Sequence, residues 1–397
     1  MFLYIAIFAV ILCGLVYEQR LGRIYAPQTH GFRAFVVVFV IGLIAGLRDM
    51  MGGYDVYVYA NIFENLAKTQ EFSLGMFFSL GSEGRVMGAE PGWILYNRLV
   101  GLFTDNRYAF FFVTSLLCYL ALFRHLRKFA PYFFFALLII FCRQFLQSFI
   151  YVRQFMACMI VWFALDFAIK RRLIPFLAVV LIAMNIHVSG FLFVIVYPLA
   201  RWKMPVFVML GGFAAALAMG LTPAFGSFLE SFGTFVGNEK AAGYAAETGG
   251  GAHLFYMAEG LLMAAATLMA RSAVYGKGVP APISGGNGGG SALARLRARL
   301  PRVALDSSPR TVAMFNVMFL YICASLTTLQ SPGMMRLIWV FWIGPICMLP
   351  YVCEKIIAGG GRSFFKALII LYFIAAFWLF AVRFDFGEML HYRTFLF

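Results

Sequence analysis

The stretch YFFFALLIIFCRQFLQSFIYVRQFMACMIVWFALDFAI, residues 132–169, decides the class of fold. It is apolar over nearly its whole length, but Arg143 and Arg153 flank a turn in its middle. Two apolar runs, 132–142 and 154–169, on either side of a turn predict helices that enter and leave a membrane. Charges inside such runs are costly and usually functional, so both arginines are candidate site residues.

The rest of the chain has the same character. Of its 397 residues, 62% are hydrophobic and only 12% are charged, whereas a soluble domain carries roughly twice that share of charge. Further apolar runs lie at about 2–17, 34–47, 108–123, 173–186, 188–200, 204–222, 253–270, 311–330, 335–352 and 364–382. The pattern predicts an all-α polytopic membrane protein with about 12 (range roughly 10–13) transmembrane or partly spanning helices. Several runs are short for a straight span, which is tolerated where helices line an enclosed cavity.

The basic residues predict the orientation of these helices. With the N-terminus outside, the inner loops are 18–33, 124–130, 170–172, 201–203, 271–310 and 353–366. They contain most of the 32 Lys and Arg residues but, of the acids, only Glu18, Asp306 and Glu354. This bias follows the positive-inside rule. It also explains the net charge of +15 without a nucleic-acid partner. It favours a hairpin over residues 173–200, turning at 185–187, because a single span would move the following basic loops outside.

Three regions are not expected to span the membrane. Residues 48–107 form a predicted outer segment with an interfacial or re-entrant helix at 92–103. Residues 223–252 form a second predicted outer loop. Residues 272–310 are predicted to be a flexible, basic cytoplasmic loop, because Gly, Ser and Pro dominate its first half and ARLRARLPR follows. Its basic stretch suits contact with anionic membrane lipids.

With this topology, unusual charges lie on the outer face. Four arginines there, where positive residues are disfavoured, suggest a cradle for a phosphate or diphosphate on a membrane-anchored ligand: Arg48, Arg143, Arg153 and Arg336. Three groups on the same face are candidate general bases for a hydroxyl: Asp55, Glu90 and His187. Each residue also has a structural alternative. An arginine at a helix end can simply extend to the interface, and a histidine can be a satisfied buried group.

Four motifs in these regions resemble a known family. They read GLRDMMGGYDVYVY at 46–59, EPGWILYN at 90–97, VRQFMACMI at 152–160 and NIHVSG at 185–190. Their order and content resemble the EpsG-like branch of the Wzy polysaccharide polymerases. The residues that match the family's motifs are Arg48, Gly53, Asp55, Tyr59, Glu90, Pro91, Gly92, Trp93, Arg153, Gln154, Ala157, His187 and Ser189. Val56 departs from the pattern, since the family often has Tyr there.

The resemblance implies a bacterial inner-membrane glycosyltransferase of the GT-C type, with a GT-C-like fold and an active site facing the periplasm. Such an enzyme transfers a glycan from undecaprenyl diphosphate to the next lipid-linked repeat unit, without a cofactor or metal, in O-antigen, capsule or exopolysaccharide synthesis. Side chains of the same motifs are expected to contact sugar: Tyr54, Tyr59, Trp93 and Gln154. Expected partners are the undecaprenyl diphosphate-linked oligosaccharide, membrane lipids, a chain-length regulator and a flippase.

Other functions stay open at this point. A ligase that joins a lipid-linked glycan to another acceptor needs the same outward site. A flippase or transporter of lipid-linked oligosaccharide would instead distribute charges through a cavity reachable from both faces, and it would often show repeat symmetry. A membrane O-acyltransferase would use His187 as its base, with an acyl donor from the cytoplasmic side.

Overall fold

The computed structural model describes residues 2–20, 31–69, 71, 74–78, 89–235, 252–275, 308–330, 338–355, 360–383 and 389–396. Every regular element within these ranges is a helix. The predicted all-α class is therefore confirmed for the described part of the chain.

Every predicted apolar segment overlaps a helix. The α-helices there are Phe2–Arg20, Gly31–Gly46, Arg107–Phe129, Phe133–Ile140, Val152–Val161, Ala164–Ile169, Leu173–Ile186, Val196–Leu199, Val206–Leu221, Ala252–Tyr275, Pro309–Thr327, Ile343–Lys355 and Gly360–Phe377. Among the described residues, five stretches are long and apolar enough to cross a membrane: Arg107–Phe129, Val152–Ile169, Leu254–Ser272, Pro309–Thr327 and Ser363–Arg383. Shorter apolar helical stretches, of 10–17 residues, are Phe2–Glu18, Gly31–Gly46, Phe133–Phe145, Leu173–Ile186, Val188–Leu199, Val206–Leu221 and Ile343–Cys353. The number of spans and the GT-C-like arrangement therefore stay predictions.

Shorter helices occupy the regions between these segments. They are Tyr54–Asn61, Ala67–Thr69, Pro91–Gly101, Gln147–Ile150 and Ala224–Phe235, with a 3₁₀ helix at Leu74–Phe78 and a π-helix at Ile62–Leu66. Helix Pro91–Gly101 covers most of the stretch 92–103, whose interfacial or re-entrant position stays a prediction. The predicted outer loop 223–252 begins with helix Ala224–Phe235. Residues 236–251 and 276–307, which complete that loop and most of the predicted cytoplasmic loop, lie outside the described residues.

Residues 173–200 reverse direction at His187. The first helix ends there, because the backbone of His187 is extended (φ −155°, ψ 130°). A 3₁₀ helix then leads back along the first helix. At the far end of the hairpin, the rings of Phe176 and Tyr197 lie 5.1 Å apart, and Arg171 Nη1 donates to the Tyr197 carbonyl at 2.9 Å. The predicted hairpin is confirmed.

Basic side chains hold together one end of the helix bundle. Lys128 forms an ion pair with Asp166. Arg310 donates to the Lys128 carbonyl at 3.2 Å, and Arg201 Nε donates to the Ile169 carbonyl at 2.6 Å. This is the end that the positive-inside rule assigns to the cytoplasm.

The C-terminal tail covers the opposite end. The Tyr4 hydroxyl donates to the Met389 carbonyl at 2.6 Å, and Arg48 pairs with Thr394 in an isolated antiparallel bridge. Tyr4 and Glu18 belong to one helix, and Glu18 contacts Phe133, which lies near Lys128 at the basic end. A rise of 1.5 Å per residue therefore puts the two ends of the bundle roughly 20 Å apart. The polar site described below lies at the Tyr4 end.

Glu18 connects the first helix to the long apolar stretch. Its side chain is buried and accepts the backbone N–H groups of Phe133 at 2.7 Å and Phe134 at 3.2 Å. The first N–H groups of a helix have no partner within the helix, so a carboxylate there satisfies donors and favours the positive end of the helix dipole. One buried acid thus joins the end of helix Phe2–Arg20 to the start of helix Phe133–Ile140.

Replacing Glu18 by alanine is expected to lower the free energy of unfolding by about 1–3 kcal/mol, because buried N–H donors lose their acceptor. Unfolding in mixed detergent micelles measures it. Glu18→Gln is the matched control, since its amide oxygen can still accept one of the two N–H groups. Equal losses in the two variants would contradict the capping role.

Candidate active site

Glu90 joins three motifs that are distant in sequence. Its Oε2 lies 2.8 Å from Arg153 Nη1, and its Oε1 accepts the backbone N–H of Val188 at 2.9 Å. Both side chains are largely buried, with 6% of Glu90 and 15% of Arg153 exposed. Three residues or motifs singled out in the sequence, around Glu90, Arg153 and His187, therefore meet at one carboxylate.

The local sequence explains how Glu90 reaches this position. It directly precedes helix Pro91–Gly101, in which proline occupies the first turn, where the missing N–H costs nothing. Gly92 contacts the end of the neighbouring helix so closely that a Cβ would lie 2.7 Å from Asn185 Cβ and 2.8 Å from its carbonyl oxygen. Only glycine permits this approach without a shift of backbone. The Glu-Pro-Gly order thus serves the geometry of the site.

His187 is oriented by the residue two positions after it. The Ser189 N–H donates to His187 Nδ1 at 3.2 Å, and the Ser189 hydroxyl lies 2.8 Å from the same nitrogen. Because Nδ1 accepts the amide hydrogen, a neutral ring carries its proton on Nε2. In this tautomer, His187 presents a hydrogen-bond donor at Nε2.

An aromatic cluster supports the junction from one side. The Trp93 ring lies 5.8 Å from Tyr59 and 5.7 Å from Phe110, both edge-on. Trp93 is fully buried, and Tyr59 and Gln154 are nearly so. Tyr54, in contrast, is 78% exposed. Of the four predicted sugar contacts, Tyr54 therefore presents its ring at the surface, whereas the other three pack inside the protein.

Asp55 lies at the start of helix Tyr54–Asn61, one turn before Tyr59. It is half-buried and makes no hydrogen bond or ion pair with the described part of the chain. Residues four apart share one helix face, so Asp55 lies on the face that Tyr59 packs against Trp93. Its carboxylate is thus neither neutralised nor capped by any described group.

Arg48 binds the protein itself. Its Nη1 donates to the Ala45 carbonyl and to Ser115 Oγ, the latter at 3.2 Å. Its Nη2 donates to the Phe149 carbonyl at 3.3 Å. Gly52 follows with φ +123°, and a Cβ there would lie 2.8 Å from the same Phe149 oxygen. The Arg and Gly of the first motif therefore fix residue 149, which precedes the turn to Arg153.

The three described arginines of the predicted diphosphate-binding set have different protein partners. Arg153 contacts Glu90, Arg48 contacts carbonyl and hydroxyl groups, and Arg143 forms a separate ion pair with Glu259 at 3.1 Å. Arg336 lies outside the described residues. The shared cradle for a diphosphate, inferred because the four arginines lie on one predicted membrane face, stays a prediction.

Sequence reasoning missed two groups of this region. Glu259 is an acid inside the apolar helix Ala252–Tyr275, and an ionisable residue at such a position is itself a signal of function. Asn185 stands in the same motif as His187, and its amide donates to the Phe77 carbonyl at 2.8 Å. That contact crosses from the hairpin to a distant segment, and no local pattern predicts it.

Taken together, these features define a class: a helical membrane protein in which a buried carboxylate contacts an arginine and the backbone next to a histidine at one end of the bundle. The chain belongs to the EpsG family, whose sequence model matches residues 32–394. That match extends the resemblance from the four motifs to nearly the whole chain. Neither a curated protein nor a solved structure matches it.

The Glu90–Arg153 pair is expected to behave as one energetic unit. Removing one partner of a buried pair costs about 3–5 kcal/mol, because the other charge stays buried without compensation. Glu90→Ala and Arg153→Ala should therefore each destabilise the protein, while the double variant loses less than the sum. A double-mutant cycle on the free energy of unfolding measures the coupling, expected at about 0.5–3 kcal/mol. Strict additivity would contradict the pairing.

Proposed function

We propose that this protein is a glycosyltransferase of the GT-C type that polymerises lipid-linked oligosaccharide repeat units. It transfers the growing glycan from undecaprenyl diphosphate to the next unit at the periplasmic face of the bacterial inner membrane, during surface polysaccharide synthesis. Membership of the EpsG family supports a polymerase-type role. The observation that carries the site assignment is the contact of Glu90 with both Arg153 and Val188.

Arg153 is the arginine best suited to bind the diphosphate. Glu90 holds its Nη1, and the side chain remains partly exposed. A guanidinium presents five N–H donors in a fixed fork, so phosphate oxygens can bind alongside the carboxylate. Charge that builds on the departing diphosphate is then stabilised by a cation already in position, which lowers the barrier without reorganisation. Arg336 keeps its predicted role as a second phosphate ligand.

His187 and Asp55 take different roles in this proposal. With its proton on Nε2, His187 donates to a diphosphate oxygen. Asp55, which no described group engages, deprotonates the acceptor hydroxyl. The hydroxyl oxygen then bonds to the anomeric carbon, the bond from that carbon to the diphosphate oxygen breaks, and the lipid diphosphate leaves with the electron pair. Tyr54, exposed beside Asp55, contacts the sugar.

Arg153→Ala and Asp55→Asn are expected to stop chain growth, each lowering the polymerisation rate by about 100-fold or more, because one removes charge stabilisation and the other the base. The assay uses purified protein in lipid vesicles with a defined undecaprenyl diphosphate oligosaccharide, followed by gel sizing of the product.

Asp166→Asn is the matched control for this assay, because it removes the ion pair with Lys128 at the other end of the bundle. It should leave chain length unchanged. Normal product length in the Arg153 and Asp55 variants would reject the proposed site. Transfer of a single unit by the unaltered protein, without further growth, would favour the ligase alternative.

Orientation is tested by single cysteines placed at the two ends of the bundle in a cysteine-free variant. Tyr54 and Trp202 are suitable positions, because they are 78% and 43% exposed. A membrane-impermeant maleimide is added outside intact cells. If an outer membrane blocks the reagent, spheroplasts are used instead. The maleimide should label Tyr54→Cys and not Trp202→Cys. The reverse pattern would place the site in the cytoplasm and favour the acyltransferase alternative with His187 as base.

A further inference from the structure

A second buried ion pair lies outside the four family motifs. Arg143 Nη2 contacts Glu259 Oε2 at 3.1 Å, with 9% and 1% of their side chains exposed. Arg143 belongs to the π-helical segment Phe141–Phe145, and Glu259 to helix Ala252–Tyr275. Burying two charges is expensive, and in a membrane-embedded helix such pairs usually mark a substrate or ion pathway.

The hydrogen bonding of this pair is incomplete. Within the described part of the chain, Arg143 Nε and Glu259 Oε1 are buried and have no hydrogen-bond partner. Arg143 is surrounded by aromatic rings, with its guanidinium carbon 5.3 Å from the centre of Phe380 and 5.6 Å from that of Trp342. One donor on Arg143 and one acceptor on Glu259 are thus left for a ligand atom. Glu259 lines the crevice described next, and Arg143 adjoins that crevice through its contact with Glu259.

An apolar crevice leads away from Glu259. It has a volume of about 130 Å³ and runs between helices Ala252–Tyr275, Ile343–Lys355 and Gly360–Phe377. Its lining is apolar except at Glu259 and Tyr372. From Glu259 to Met269 along the first helix, a rise of 1.5 Å per residue gives a length of roughly 15 Å, about half the hydrocarbon thickness of a bilayer.

The crevice opens at the surface of the bundle. Three of its lining residues are substantially exposed: Leu262 at 42%, Met269 at 52% and Leu368 at 41%. In a membrane, this surface faces lipid, so an apolar chain can enter sideways while a polar head remains at the Glu259 end.

We propose that the crevice and the Arg143–Glu259 pair bind a polyprenyl phosphate-type lipid. The isoprenoid chain lies in the crevice, a phosphate oxygen accepts from Arg143 Nε, and a sugar hydroxyl on the phosphate donates to Glu259 Oε1. A phosphate without a sugar would leave Glu259 Oε1 without a donor, and a plain alcohol would leave Arg143 Nε without an acceptor. A glycosyl phosphate satisfies both groups.

This proposal rests on the proposed function for its choice of lipid, but it concerns another place in the protein. Arg143 and Arg153 lie on either side of the short helix Gln147–Ile150. The polymerisation reaction requires two lipid-linked molecules at once. A lipid in the crevice accounts for one of them and leaves the Glu90–Arg153 site for the bond that is cleaved.

Photo-crosslinking tests the crevice directly. The probe is farnesyl phosphate with a diazirine at the end of its chain, added to the purified full-length protein in detergent. Labelled peptides are expected to contain residues 262–269 or 365–373. Undecaprenyl phosphate should compete with the label, whereas undecaprenol and phosphatidylglycerol should not.

Ala266→Trp fills the crevice and is expected to reduce labelling about tenfold or more, since the indole occupies the space that the isoprenoid chain would take. Leu261→Trp is its control, because Leu261 is exposed on the same helix but does not line the crevice. A thermal unfolding midpoint equal to that of Leu261→Trp shows that Ala266→Trp is folded. Glu259→Gln should retain labelling by farnesyl phosphate, which lacks the sugar, and Arg143→Gln should lose it.

Labelling that is equal in Ala266→Trp and Leu261→Trp, or competition by phosphatidylglycerol as strong as by undecaprenyl phosphate, would overturn the proposal. The two proposals of function fail separately. If the protein makes no polymer but labels as expected, the crevice stands and the polymerase assignment falls. If it makes polymer and the crevice does not label, only this inference falls. Glu90→Gln, which alters the other site, should stop polymer formation and leave labelling intact.

Discussion

The contact that the rest of this structure depends on is the double engagement of the Glu90 carboxylate. One oxygen contacts Arg153, which begins a membrane-length helical stretch, and the other accepts the N–H of Val188 at the turn of a hairpin. The acid itself directly precedes helix Pro91–Gly101. The carboxylate thus fixes helix Pro91–Gly101, the helix that contains Arg153 and the hairpin turn relative to one another. It also holds the positive charge of Arg153 in position in a largely apolar environment.

The arrangement also explains why the surrounding residues are of particular types. Gly92 permits contact with Asn185, and Gly52 has a backbone conformation that side chains rarely adopt. Trp93 fills the space behind the junction. None of these residues needs to touch a substrate to be required, because each one determines the position of Glu90, of the turn at His187 or of the segment before Arg153. Two buried acid–arginine pairs, here and at Arg143–Glu259, then divide the polar chemistry of the predicted outer face into two places.

Much of the fold could be predicted from the sequence, because hydrophobic runs and basic loops are local signals. The apolar segments coincide with helices, and the charge bias alone favoured the hairpin at His187, which the structure contains. The site was predicted less completely. The predicted topology assigned Arg48, Arg143 and Arg153 to one membrane face. It could not say which carboxylate or carbonyl each arginine contacts, because those contacts depend on helix packing, which no local pattern encodes. Glu259 was visible as an acid in an apolar helix, yet its partner lies 116 positions away in the chain.

The most direct measurement of the central claim is a cryo-electron microscopy structure of the protein in a lipid nanodisc with an undecaprenyl diphosphate oligosaccharide bound. The account predicts diphosphate density within hydrogen-bonding distance of Arg153 and His187, with Glu90 still contacting Val188 and the sugar beside Tyr54 and Asp55. Diphosphate density at the opposite end of the bundle, near Lys128 and Arg201, would contradict it.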